Sequence, residues 1–209
     1  METTDLGGLP TPADPSGPSR RLGGRSARVR LAVMDAVLAE IVDVGYGRLS
    51  FESVAERAGV HKTTLYRRWP NREALVVDAL LAQSERTVPV PDTGSLRTDL
   101  RLVLRGVVGN LTSARGAGLA RTLLGEAGHS SEIAELTRRF WGERQTLVAQ
   151  IIRRAVERGE LPETVNAQQL IESLIGPLYL RALITLAPLD TDYSDQVVDF
   201  VLSRAASDS

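Results

Sequence analysis

The chain of 209 residues has no cysteine, an absence that excludes disulfides, thiolate metal sites and cysteine nucleophiles together. Only two histidines occur, His61 and His129, far apart in sequence, so no metal site is expected. Aromatic residues make up 4% of the chain against 43% hydrophobic, which leaves any core to Leu, Val, Ala and Ile. Those apolar residues recur at i, i+3, i+4 with little alternation, the period of an all-α protein. No apolar run reaches the roughly 18 residues that span a bilayer, so no membrane partner is expected. The opening METTDLGGLP lacks the basic and apolar regions of a secretory signal, which makes a cytoplasmic location the default expectation. A glycine-rich phosphate loop, a Ser-His-Asp spacing and a metal triad are all missing, so neither an enzyme nor a cofactor is expected.

Lysine is nearly absent as well, Lys62 being the only one. The net charge of −1 hides a strong division along the chain. Residues 20–72 hold eleven Lys or Arg against five acids, a net +6, while residues 73–209 carry −4 and residues 1–19 carry −3. A basic segment on an otherwise acidic chain is the footprint of a polyanion that binds one end only.

Residues 1–24, with Pro10, Pro12, Pro15 and Pro18 and no apolar period, read as a disordered arm. Its end gathers Arg20, Arg21, Arg25, Arg28 and Arg30, which either follow phosphates into a groove or form a solvated basic tail. A first helix is expected over 26–44, where Leu31, Met34, Val37, Leu38 and Ile41 recur at helical spacing. Ser50 is placed to cap a second helix whose Phe51, Val54, Ala55 and Ala58 make one stripe. Gly59 supplies the tight turn, and a short helix over 62–69 follows. There Leu65 and Trp69 share an inward face, while Thr63, Tyr66 and Arg67 point away. This is a helix-turn-helix, whose second helix has the width to enter a DNA major groove. Pro70 stops it, and Asn71 can cap a fourth helix over 72–85.

Val88-Pro89-Val90-Pro91 reads as a stiff linker between a DNA-binding domain over 25–87 and a second, helical domain over 92–209. In the latter, helices are expected over 95–113, 118–127, 131–159, 166–187 and 194–206. Asn166 with Gln169 has the spacing of a capping box, and Ser194 is placed to cap the last helix. Pro177 should bend the helix that contains it.

The run SFESVAERAGVHKTTLYRRWPNREALV, with its Gly-Val-x-x-x-x-Leu-Tyr-x-x-aromatic spacing, resembles the tetracycline-repressor (TetR) family of bacterial regulators. RGELP at 158–162 and GPLYLR at 176–181 extend the similarity more weakly into the second domain. The resemblance implies a homodimer that reads a palindromic operator on double-stranded DNA and lets go when a small molecule fills the second domain. His61 and Thr63 are bulkier than the residues many members carry there, which implies a particular operator. Arg72 stands where a lysine is common.

On this reading Arg25, Arg28, Ser50, Tyr66 and Arg72 hold the DNA backbone, and Lys62, Thr63, Thr64 and Arg67 read base edges or phosphates. Arg68 lies nearer the inward face, and His61 starts the helix. An apolar effector of unknown identity is expected among Leu104, Val108, Leu123, Phe140, Trp141, Leu147, Leu174 and Tyr179, although Phe140 and Trp141 also suit plain core packing. Leu170, Leu174 and Leu178, with Val197, Val198, Val201 and Leu202, form two stripes that suit either a four-helix dimer interface or the chain's own core. The alternatives are an activator, or a helical interaction module without operator control.

Overall fold

A computed structural model describes residues 24–207, all helical or irregular, with no strand among them. The arm expected over 1–24 lies outside the described residues except for Gly24, as does the side chain of Arg25. Helix α1 (Gly24–Val44) starts two residues earlier than its apolar period suggests. Val33, Met34, Val37, Leu38 and Ile41 are completely buried along it. A short 3-10 turn (Tyr46–Arg48) leads to α2 (Phe51–Ala58). Ser50 caps α2 as expected, and Ser53 returns the bond, so both ends of the box are satisfied. Gly59 then adopts φ 64°, the left-handed region where a Cβ is strained, and closes the helix on the carbonyls of Ala55 and Glu56. α3 (Lys62–Arg68) and α4 (Arg72–Thr87) follow, the second capped by Asn71 through the Ala74 N–H at 2.8 Å.

Beyond the linker lie α5 (Leu96–Thr112), α6 (Ala114–Ala127), α7 (Ser131–Glu157), α8 (Ala167–Tyr179) and α9 (Thr191–Ser207). α6 begins four residues before its apolar pattern does, because the Ser113 hydroxyl accepts the Gly116 N–H at 3.0 Å and caps it there. α5 crosses the end of α4 so closely that a Cβ on Gly106 would sit 2.6 Å from the Thr87 carbonyl oxygen.

Three expectations need correction. Ser194 does not cap α9: the helix starts three residues earlier, where Asp190 accepts the Tyr193 N–H at 2.8 Å. Ser194 is buried inside the first turn and donates to the Thr191 carbonyl. The capping box at Asn166 is half made, since Asn166 accepts the Gln169 N–H and no return bond is present. The helix expected to run to 187 stops at Tyr179 and continues as a π-helical turn (Leu180–Thr185), ending at Leu186 with φ 52°. Pro177 has no N–H to donate, which frees the Ser173 carbonyl one turn upstream, and the wider turn begins three residues beyond the proline.

Two apolar cores result. One joins α1–α4 and also takes in Leu119 of α6 and Ile133 and Leu136 of α7. The head is therefore continuous in packing with the first half of α7. The other core joins Val88, α5, the second half of α7, α8 and α9. Leu170, Leu174, Leu178, Val197, Val198 and Val201 are all buried in this second core, so these stripes are spent within the chain. α9 is also tied to α5 by Arg97, Arg101 and Arg105, which meet Asp195 and Asp199 in an exposed ladder. No helix among the described residues is long and apolar enough to cross a membrane.

Candidate nucleic-acid interface and effector cavity

α3 is only two turns long and has no side-chain cap, so packing from behind must hold it. Leu65 is fully buried and Trp69 nearly so. The Trp69 indole N–H donates to Asp78 of α4 at 3.1 Å, and Asp78 also takes Arg30 of α1. One carboxylate thus fixes α1, α4 and the end of α3 together. On the opposite face Lys62, Thr63, Tyr66 and Arg67 are exposed, with Thr64 half-buried. Tyr66 stands edge-on to Phe51 at 4.6 Å and is 54% exposed.

The basic charge of the head divides into paired and unpaired cations. Arg30 is matched by Asp78, Arg57 by Glu40 and Asp43, and Arg72 by Glu132. Among the described residues Arg28, Arg48, Arg67 and Arg68 meet no carboxylate within ion-pair distance. Arg28 donates to the Gly24 carbonyl, and Arg68 lies over its neighbour Trp69. Arg48, in the turn before α2, was not singled out in the sequence, although a basic residue two positions before an N-cap was a visible signal. Arg68 is exposed, contrary to its expected inward tilt. Ser50 is half-buried, its hydroxyl occupied by the cap of α2.

Glu52 is an acid set within this surface, bonded to two of its residues. Tyr66 donates to its carboxylate at 3.1 Å, a bond that raises the tyrosine's pKa, and Lys62 approaches it at 3.8 Å. A carboxylate here opposes a polyanion. Glu52→Gln is expected to tighten binding to duplex DNA about 2- to 5-fold at low salt, and less at high salt, by fluorescence anisotropy.

Arg72 departs from its expected role. Its guanidinium is stacked over the Tyr46 ring at 4.3 Å and donates to the carbonyls of Tyr46, Gly47 and Leu49. Its other nitrogen binds both oxygens of Glu132 on α7, at 2.9 and 3.0 Å. The Tyr46 hydroxyl donates to the same carboxylate at 2.6 Å. These hydrogen bonds, first from Tyr46 and then from Arg72, hold the Glu132 carboxyl below its ordinary pKa. Burial, reinforced by that carboxylate, pushes the Tyr46 phenol upward. The Arg72 side chain is thus a strut between head and body, its guanidinium already engaged within the chain.

A cavity of about 110 Å³ lies where α4, α5, α6, α7 and α8 converge. Four of the eight expected effector residues line it: Leu123, Phe140, Trp141 and Tyr179. Phe140, Trp141 and Tyr179 form a chain of edge-on ring contacts, each 5.4 Å between centroids. Leu104, Val108 and Leu174 are instead buried in the second core, and Leu147 does not reach the cavity. Sequence reasoning missed the wall from α4, chose Leu104 and Val108 on α5 where Val103, Val107 and Asn110 line the cavity, and missed Arg144 altogether. Arg144 is buried, donates to the Val88 carbonyl at 3.1 Å, and lines the cavity. Its spacing was a usable signal, since Thr137, Phe140, Trp141, Arg144 and Val148 fall at i, i+3, i+4, i+7 and i+11 on one face of α7.

Residues 33–79 match the bacterial regulatory proteins of the tetR family, and residues 90–201 match the tetracyclin repressor-like C-terminal domain. The HTH-type transcriptional regulator AqdR of Rhodococcus erythropolis is 33% identical over 190 residues, covering 91% of each chain. This chain belongs to the TetR family. The DNA-binding transcriptional repressor TetR of Mycobacteroides abscessus is 32% identical over 173 residues, 82% of this chain and 90% of that one. A crystal structure of the TetR family transcription regulator SCO0332 superposes with a TM-score of 0.70 at 34% identity, covering 84% of this chain and 97% of that one. The TetR-family chain is therefore a helix-turn-helix transcriptional regulator and not an enzyme. Members bind DNA and small molecules and usually act as dimers. His129 sits exposed in the turn before α7.

Proposed function

We propose that the protein is a ligand-responsive repressor that binds a palindromic operator as a homodimer. The observation that carries this is α3 itself: a short helix braced by Leu65 and Trp69, with unpaired cations and Tyr66 on its free face. Two such helices in one dimer would enter successive major grooves about 34–36 Å apart, or a multiple of that. Lys62, Thr63, Thr64 and Arg67 would meet bases or phosphates, and Tyr66, Arg28 and Arg48 the backbone. The division of labour falls at the Val88–Pro91 linker. A footprint on DNA flanking the gene tests the reading: two protected half-sites within an inverted repeat support it, and a single protected half-site, or none, refutes it.

The partner surface follows from what the second core leaves over. Leu180, Ile184, Leu186 and Phe200 are 48%, 74%, 72% and 68% exposed on the π-helical turn, the residue after it and α9. Large apolar side chains grouped this way at the end of the chain suit a second copy, with the same elements facing their symmetry mates. These side chains take the place of the buried leucine and valine stripes as the proposed contact. Ile184→Glu with Phe200→Glu is expected to shift the protein from dimer to monomer in sedimentation, with at least a tenfold loss of operator affinity.

For release, the proposed effector occupies the cavity lined by Leu80 and Thr87 of α4, together with α5 to α8. α4 carries the Asn71 cap and Asp78, which positions Trp69. Displacing α4 would therefore change the spacing of the two reading helices. A coupling of about 1–3 kcal/mol suffices for such a switch.

A further inference from the structure

We infer that the cavity takes a compact organic anion, an apolar body bearing one carboxylate or similarly acidic group, whose charge is bound by Arg144. This rests on the effector reading above and names the ligand's chemistry. The walls are largely apolar and aromatic, so the body of the ligand must be too. In the conformation described the cavity is about 110 Å³, less than the ~150 Å³ that holds benzene, so even a ligand built on one ring or a short chain requires the surrounding helices to part slightly.

Arg144 supplies the polar anchor. It is 6% exposed, and among the described residues no carboxylate lies within ion-pair distance of it. Glu85 attracts it only at longer range. An arginine stays charged even when buried, so the cost of desolvating it has to be offset by a partner. The recorded partner is one neutral carbonyl, that of Val88 just past the end of α4. The helix end contributes a partial negative charge of about half a unit there, which leaves the guanidinium short of a full counter-charge. Burial accordingly lowers the ease with which this cation is held.

Two further polar atoms of the lining point the same way. Among the described residues the Thr137 hydroxyl and the Asn110 side-chain oxygen are buried without a hydrogen-bond partner. Unsatisfied groups of this kind are rare in a finished core and expected in a site awaiting its ligand. The assignment also supplies a route for the signal. An anion drawn to Arg144 competes with the Val88 carbonyl for its donors, and Val88 continues directly from α4.

The test uses the full-length dimer and a panel of carboxylates of about six to ten carbons, straight-chain and phenyl-terminated, each paired with its primary amide. Calorimetry reads binding, and anisotropy on an operator fragment reads release. At least one acid is expected to bind ten times or more tighter than its amide. That preference should vanish in Arg144→Gln, which keeps a buried hydrogen-bond donor without the charge, and persist in part in Arg144→Lys. Equal binding of acid and amide in the wild type, or a preference that survives Arg144→Gln, overturns the assignment. So does failure of every acid to bind. An acid that binds through Arg144 yet never loosens the DNA complex upholds the site while refuting its role as effector. Release by the amides alone does the reverse.

Discussion

Replacing Arg72 by methionine is expected to lower the stability of the protein by about 2–3 kcal/mol, without weakening the salt dependence of DNA binding. The side chain makes five recorded hydrogen bonds, three to backbone carbonyls and two to Glu132, and stacks on Tyr46. Its loss strands carbonyls of the turn before α2 and a carboxylate of α7 together. Bonds from a charged donor are worth more than neutral ones, but the side chain is 29% exposed, which keeps the total well below that of a fully buried ion pair. Chemical denaturation measures the first effect and affinity against salt concentration the second. A phosphate ligand would give the opposite pattern, with little change in stability and a shallower salt slope. Because the strut ties the head to α7, the effector's influence on DNA affinity should also shrink in this variant.

The double substitution Tyr66→Ala with Arg67→Ala is expected to reduce operator affinity at least about 100-fold while leaving the melting temperature within a degree or two. Each well-placed side-chain contact to DNA is worth about 1–3 kcal/mol, and a symmetric dimer loses each contact twice. Neither residue carries the fold: among the described residues exposed Arg67 has no ion pair, and half-exposed Tyr66 stands edge-on to Phe51 and donates to the exposed Glu52. Leu65 and Trp69 keep α3 in place when its outer face is stripped. A gel shift with unchanged affinity would remove these two residues from the interface.

The helices of the head were legible because the signals that bound them are local. Ser50, Gly59, Pro70 and Asn71 mark ends of helices within a few residues of their partners, and Leu65 and Trp69 share a face by helical period alone. The tie between Arg72 and α7 was not legible for the opposite reason: its partner Glu132 lies 60 positions away, and nothing in the local pattern shows it. Ser194 misled because a serine one turn into a helix looks the same as a serine that caps one. The stripes on α8 and α9 were ambiguous in principle, since an apolar face has the same period whether its own chain or a second copy covers it. The cavity draws its wall from five helices, so no single window of sequence contains it. Only the run from Thr137 to Val148 on α7 was there to be read, with Arg144 set among aromatics.

The most direct measurement of the central claim, that the free face of α3 grips duplex polyanion, is the dependence of operator affinity on salt. The logarithm of affinity should fall linearly with that of salt, by about 0.9 for each phosphate neutralised, with a total slope of several units. Arg67→Ala should make that slope shallower by about two, one contact from each subunit. An affinity indifferent to salt, or an identical slope in the wild type and Arg67→Ala, would contradict it.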